Sequence, residues 1–133
     1  MDLAAHSAMG NVTLKDVAKR QDISKKYLWQ IVNPLKSAGI IRAVTGPHGG
    51  YALAKPPSSV TLRDILAILE GDCALVACVD TPAACPRSNA CASRDIWREV
   101  EEKLAEAMES ITLSDMAARQ QAMTVGASQQ YAI

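Results

Sequence analysis

Phenylalanine is absent from this chain, and aromatic residues make up only 4% of its 133 positions. A core without them has to be built from Leu, Ile, Val, Ala and Met, which favours helices over a β-sandwich. No apolar run approaches the ~20 residues that span a bilayer, so no membrane partner is expected. There is no basic-then-apolar leader either, which points to a cytoplasmic protein with reduced thiols. Histidine occurs only at positions 6 and 48, and no nucleophile is matched with a base. Neither an enzyme nor a small-molecule substrate is therefore expected.

Net charge is missing too, but the zero hides an asymmetry. Residues 1–60 carry eight Lys and Arg against three Asp, a net +5. Residues 61–133 carry six Lys and Arg against eleven Asp and Glu, a net −5. A basic half beside an acidic half suits a polyanionic partner on one side only. The length fits one domain with one core.

Three segments share one figure: Thr13-Leu14-Lys15-Asp16, Thr61-Leu62-Arg63-Asp64 and Thr112-Leu113-Ser114-Asp115. Each sets a Thr N-cap before an acid at the third helical position, a capping box with Asp in place of the usual Glu. An apolar residue before each cap can staple to the fourth helical position: Val12 to Val17, Val60 to Ile65, Ile111 to Met116. The helix from Leu14 is expected to break near Gln21. A turn over Asp22-Ile23-Ser24 follows, and Ser24 caps the next helix. That helix buries Leu28, Ile31, Val32 and Leu35, bends at Pro34 and stops at Gly39. Ile40–Val44 and Tyr51–Leu53 read as short strands around the turn chemistry of Thr45-Gly46-Pro47-His48-Gly49-Gly50. The predicted fold is mainly α: a winged helix-turn-helix with a small two-stranded β wing, plus a long dimerisation helix.

The face of the second helix away from its core presents Lys26, Gln30, Asn33 and Ser37. Gln and Asn pair with adenine edges and Lys with guanine. Ser24 and the free N–H groups of the helix start can hold a phosphate beside Lys25, and Tyr27 lies in the same first turn. On the wing, Arg42, Thr45 and His48 are the polar groups, and Gly49 lets the backbone approach DNA closely. The alternative is a winged helix that binds protein.

Residues 71–93 hold all four cysteines with Pro82 and Pro86, and read as a loop. Cys78, Cys85 and Cys91 are spaced C-x6-C-x5-C. No C-x-x-C pair exists, so a structural zinc site is disfavoured. Three thiolates from one loop suit one face of an iron–sulfur cluster; zinc and free redox-switch thiols stay open. Cys73 reads as a small buried residue at a helix end. Beyond the loop, Ile96, Trp97, Val100, Leu104, Met108 and Ile111 form one stripe of a long helix whose other face is acidic. Such a stripe fits a partner chain or intrachain packing.

These residues resemble the bacterial winged-helix regulators that include IscR, NsrR and CymR. The resemblance runs from about Leu3 to Met116. It rests on Ser24-Lys25-Lys26-Tyr27-Leu28, Pro34 to Gly39, Gly46 to Tyr51, Ile68-Leu69-Glu70-Gly71, and the cysteine loop followed by Arg94 and Trp97. It implies a homodimer joined through the long helix, with two winged heads on pseudo-palindromic double-stranded operator DNA. It also implies a 2Fe–2S cluster held by Cys78, Cys85 and Cys91, whose state sets operator affinity. The expected function is a dimeric repressor that senses iron–sulfur status, nitric oxide or redox state through these cysteines.

Four departures stand out. Family members usually begin with further residues, one of which supplies a cluster ligand in some relatives. Arg94 stands where the iron–sulfur biogenesis regulators have a ligating His. Trp29 replaces a common Glu and Thr45 a common wing Arg, which implies a different operator. The expected organisation is a DNA-binding region over 1–71, a cluster-binding loop over 72–93, a dimerisation helix and short C-terminal helix over 94–120, and a flexible tail over 121–133. Rival readings are a metal-free thiol switch and a metal-stabilised protein-interaction module; the latter would lack salt-sensitive DNA binding.

Overall fold

The computed structural model describes residues 1–71 and 74–130. It is mainly helical with one two-stranded antiparallel sheet. A short α1 (Asp2–Ala5) leads through a 3₁₀ turn into α2 (Leu14–Gln21). Thr13 caps α2 by accepting the Asp16 N–H. Asp22 ends it in the left-handed region (φ 51°), a conformation Asp tolerates better than most residues. The chain turns at once into α3 (Lys25–Ser37), capped by Ser24 and continuous through Pro34. Gly39, at φ 73°, closes it, with the Ile40 N–H donating to the Leu35 carbonyl.

The wing is β1 (Ile41–Val44) paired with β2 (Gly50–Leu53), in the register Ile41 to Leu53 and Val44 to Gly50. It has a third, unforeseen partner. Val12 and Tyr51 exchange backbone hydrogen bonds of 2.9 and 2.8 Å, so the segment before α2 lies along the free edge of β2. A Cβ on Gly50 would stand 2.8 Å from the Val12 carbonyl oxygen, and glycine alone permits that approach. Asn11 adds a hydrogen bond to the His48 carbonyl at the wing tip.

α4 (Leu62–Glu70) and α7 (Leu113–Gln130) start side by side. Thr61 and Thr112 form an antiparallel bridge: Leu62 N–H donates to the Ile111 carbonyl and Leu113 N–H to that of Val60, each at 2.8 Å. Both starts are closed capping boxes, with each Thr N–H bound to the Asp carboxylate three residues on. Val60, fully buried, sits at this seam in a cluster with Leu35, Ile40, Ile41 and Leu113. A second cluster of Val12, Val17, Leu28 and Val32 locks α2 to α3. The staples Val12–Val17 and Val60–Ile65 each fall within one of these clusters.

The capping boxes leave a pH signature. Hydrogen bonds from the backbone and side chain of Thr61 hold the Asp64 carboxyl below the usual carboxylate range, and those of Thr112 do the same for Asp115. At the N-terminus Asp2 is lowered by its hydrogen bonds from Arg20. A carboxyl depressed on folding stabilises fully above the unfolded value, about pH 4, and loses that contribution as pH falls through its lower folded value. Stability should therefore decline as pH drops below about 4. The double variant Asp64→Asn, Asp115→Asn should show a shallower decline in urea unfolding across that range; an unchanged slope would contradict the assignment.

Two expectations are corrected. The expected loop carries short helical turns, α5 (Ala77–Asp80) and 3₁₀ segments at Pro82–Ala84 and Ser88–Ala90, before α6 (Ala92–Glu109). The expected tail from 121 is helical to Gln130, so α7 is as long as α6. A capped helix propagates at little cost once nucleated, and no proline interrupts this one. Residues 131–133 and Cys73 lie outside the described residues. No helix among the described residues is long and apolar enough to cross a membrane.

Candidate nucleic-acid interface and cysteine loop

α3 buries Leu28, Val32 and Leu35. At 3.6 residues per turn, Lys26, Gln30, Asn33 and Ser37 fall on the opposite side, and all four are exposed. The Ser24 hydroxyl oxygen accepts the Tyr27 N–H at 3.1 Å, so it caps the helix while its O–H stays available to a phosphate. Lys25 is exposed beside it. Tyr27 (55% exposed) and Trp29 (47%) flank the polar face on its two sides. On the wing, Arg42, Thr45 and His48 are exposed and Gly49 is half-buried. A Cβ on Gly49 would meet the Val44 carbonyl oxygen at 2.5 Å, so this glycine is fixed by the turn itself.

The three cysteines occupy three different local structures. Cys78 lies in α5, Cys85 follows the Pro82–Ala84 turn, and Cys91 is the N-cap residue of α6. All three are free thiols and half-buried. They share one loop, and among the described residues no three His, Cys, Asp or Glu side chains form a group that could hold a single metal ion.

The loop is held by α6 instead. Arg94 donates from Nε to the Cys78 carbonyl at 2.7 Å, and from its terminal guanidinium to the Ser88 carbonyl at 3.4 Å. Glu101 accepts from the Leu75 and Val76 N–H groups at 2.7 and 3.4 Å. The sequence marks Arg94 as part of the family-like loop, in the place of a ligating His, and gives no sign of its contact with the loop backbone or of Glu101. Hydrogen bonds to loop backbone leave no motif; the one available signal is their seven-residue spacing on a single helix face.

The apolar stripe of α6 divides. Ile96, Trp97, Val100 and Leu104 are 61, 42, 40 and 37% exposed. Met108 is buried on the side that meets α4, where Arg63 also pairs with Glu109. Ile111 is half-buried beyond the end of α6. A single stripe is thus two adjacent faces, one turned inward and one left open.

Comparisons with known proteins agree with this architecture. The sequence model of the Rrf2 family, described as an iron-dependent transcriptional regulator, matches residues 1–119. Protein rrf2 of Nitratidesulfovibrio vulgaris is 36% identical over 116 residues, 87% of this chain and 77% of that protein. The structure of CymR, the global cysteine regulator of B. subtilis, superposes with a TM-score of 0.74 at 31% identity, covering 89% of this chain and 86% of that one. T. potens IscR superposes with a TM-score of 0.72 at 34% identity, covering 90% and 77%. These relatives are transcriptional regulators and not enzymes. A winged helix-turn-helix with an exposed polar face on α3, matched over residues 1–119 by the family model and over about nine-tenths of its length by solved regulators, places this chain in the Rrf2 family of DNA-binding transcriptional regulators.

Proposed function

We propose that the protein binds operator DNA as a homodimer, acts as a repressor, and reads the chemical state of Cys78, Cys85 and Cys91. The observation that carries this reading is a loop of three free thiols hydrogen-bonded to α6, the helix whose open face bears Ile96, Trp97, Val100 and Leu104. The open stripe is the dimer surface. The loop lies on the neighbouring face of the same helix, so a change in one is felt by the other.

A packing route leads from there to the DNA. α6 meets α4 through Met108 and the Arg63–Glu109 pair. α4 packs Ile65, Ile68 and Leu69 against the core cluster that contains Leu35 of α3. A shift of α6 therefore re-aims the recognition helix in each protomer, and the spacing of the two helices sets operator affinity.

Three thiolates are the donor class of an iron–sulfur centre, and Cys78, Cys85 and Cys91 are the residues that would hold a 2Fe–2S group. Their thiol chemistry fits such a centre, and among the described residues no three side chains form a site for a single metal ion. Three free, half-buried thiols also suit a second reading, in which thiol oxidation alone is the signal. Both readings make the loop the sensor.

The test is the variant Cys85→Ala on DNA selected from a random-sequence library. Wild-type affinity should change after anaerobic iron and sulfide reconstitution or after peroxide, and the variant should lose that response. The sensor reading fails if the wild type is indifferent to both treatments. The visible spectrum, with iron and sulfide content, separates the two chemistries.

A further inference from the structure

We propose that Arg94 and Glu101 are positioning residues: a two-point clamp on α6 that holds the cysteine loop in place with no bound group. The inference rests on the loop being the sensor, and it adds which side chains transmit its state.

The two residues lie seven apart and so point to one side of α6, about 10 Å from each other along the axis. Each binds loop backbone and not a loop side chain. Glu101 meets the entry of the loop, at Leu75 and Val76. Helix α5 has no side-chain cap of its own, and the Glu101 carboxylate supplies acceptance and negative charge at its start. Arg94 meets the middle, binding the carbonyl of Cys78 itself and that of Ser88, three residues after Cys85. Ser88 is the buried polar residue of this region, and its N–H donates to the Cys85 carbonyl. One guanidinium therefore ties together the backbone around two of the three thiols. Its fork supplies two donors in fixed geometry, which a lysine ammonium cannot reproduce.

The consequence is specific. Chemistry at Cys78 or Cys85 moves carbonyls that Arg94 holds directly or through one residue. Cys91 lies beyond both anchors as the N-cap residue of α6. The clamp thus ranks the thiols: Cys78 and Cys85 are coupled to α6 through Arg94, and Cys91 through chain continuity.

The experiment is iodoacetamide labelling of the reduced, metal-free full chain, with the rate at each cysteine read by mass spectrometry. Loss of charge-assisted hydrogen bonds in Arg94→Ala should raise the rates at Cys78 and Cys85 by about tenfold and leave Cys91 less affected. Arg94→Lys should fall between this variant and the wild type. Glu101→Ala should act mainly on Cys78, and Glu101→Gln, which keeps an acceptor oxygen, should stay near the wild type. Unchanged rates in both alanine variants would overturn the clamp. A uniform rise at all three cysteines with a lower melting temperature would overturn it as well, since that is general destabilisation. A site-selective rise, in a protein whose DNA affinity ignores thiol chemistry, would uphold the clamp and sink only the sensor reading.

Discussion

Reversing both charges at the start of α3, Lys25→Glu with Lys26→Glu, should lower affinity for selected DNA by roughly 100-fold or more, because like-charge juxtaposition costs several kcal/mol. Both side chains are exposed in the first turn of α3, where unpaired N–H groups already favour a phosphate. The reversal sets carboxylates against that phosphate. The salt dependence should weaken too, by about one unit of slope for each phosphate that is no longer neutralised. Gln30→Ala and Asn33→Ala should behave differently. Each should cost about 1–3 kcal/mol of discrimination at a single base position, with the salt slope unchanged. Fluorescence anisotropy at several salt concentrations measures both. If the charge-reversed protein binds like the wild type, α3 is not the DNA-facing helix.

The second large effect is on stability. Val60→Asp should cost roughly 3–5 kcal/mol or more, because it places an unpaired carboxylate in a site closed to water. Val60 is 0% exposed, and its own carbonyl is engaged by the Leu113 N–H at the bridge between α4 and α7. A domain of this size holds only about 5–15 kcal/mol in total, so the variant should be largely unfolded at 37 °C or lose its cooperative transition. Val60→Ala removes two methyl groups from the same place and should cost about 1–3 kcal/mol, leaving a foldable protein. Urea denaturation followed by circular dichroism reports both. Wild-type stability in the aspartate variant would mean that this seam is not the centre of the core.

The helix starts were legible because their signals are local. Thr13, Thr61 and Thr112 each announce a cap through an Asp three residues away, and all three begin helices. That the second and third caps pair with each other was not legible, since nothing in either segment marks the other as its partner. The wing hairpin could be read from its glycines. The Val12 strand beside it could not, because one bridge leaves no alternation to detect. Periodicity found the apolar residues of α6 but not their division: Met108 and Leu104 fit one stripe equally well, yet Met108 is buried and Leu104 is 37% exposed. The end of α7 was misjudged for the opposite reason. Residues 121–127 are exposed and carry no apolar stripe, yet the capped start of α7 is enough to carry the helix on. For the cysteine loop, the sequence reading named the thiols and missed what holds them, since Arg94 and Glu101 bind main chain.

The bridge between Thr61 and Thr112 also has an architectural meaning. The chain leaves the winged head at Thr61, passes through α4, the cysteine loop and α6, and returns at Thr112 to the place it left. The intervening stretch is a closed detour with its two ends stitched together. Tension within it is short-circuited at the stitch and cannot reach the head by pulling on the backbone. A signal from the detour has to cross sideways, through the surface that α4 shares with α3. Segments built this way can be lengthened, rewired or given new chemistry while the reading head keeps its shape, which would let one winged scaffold answer to many different stimuli.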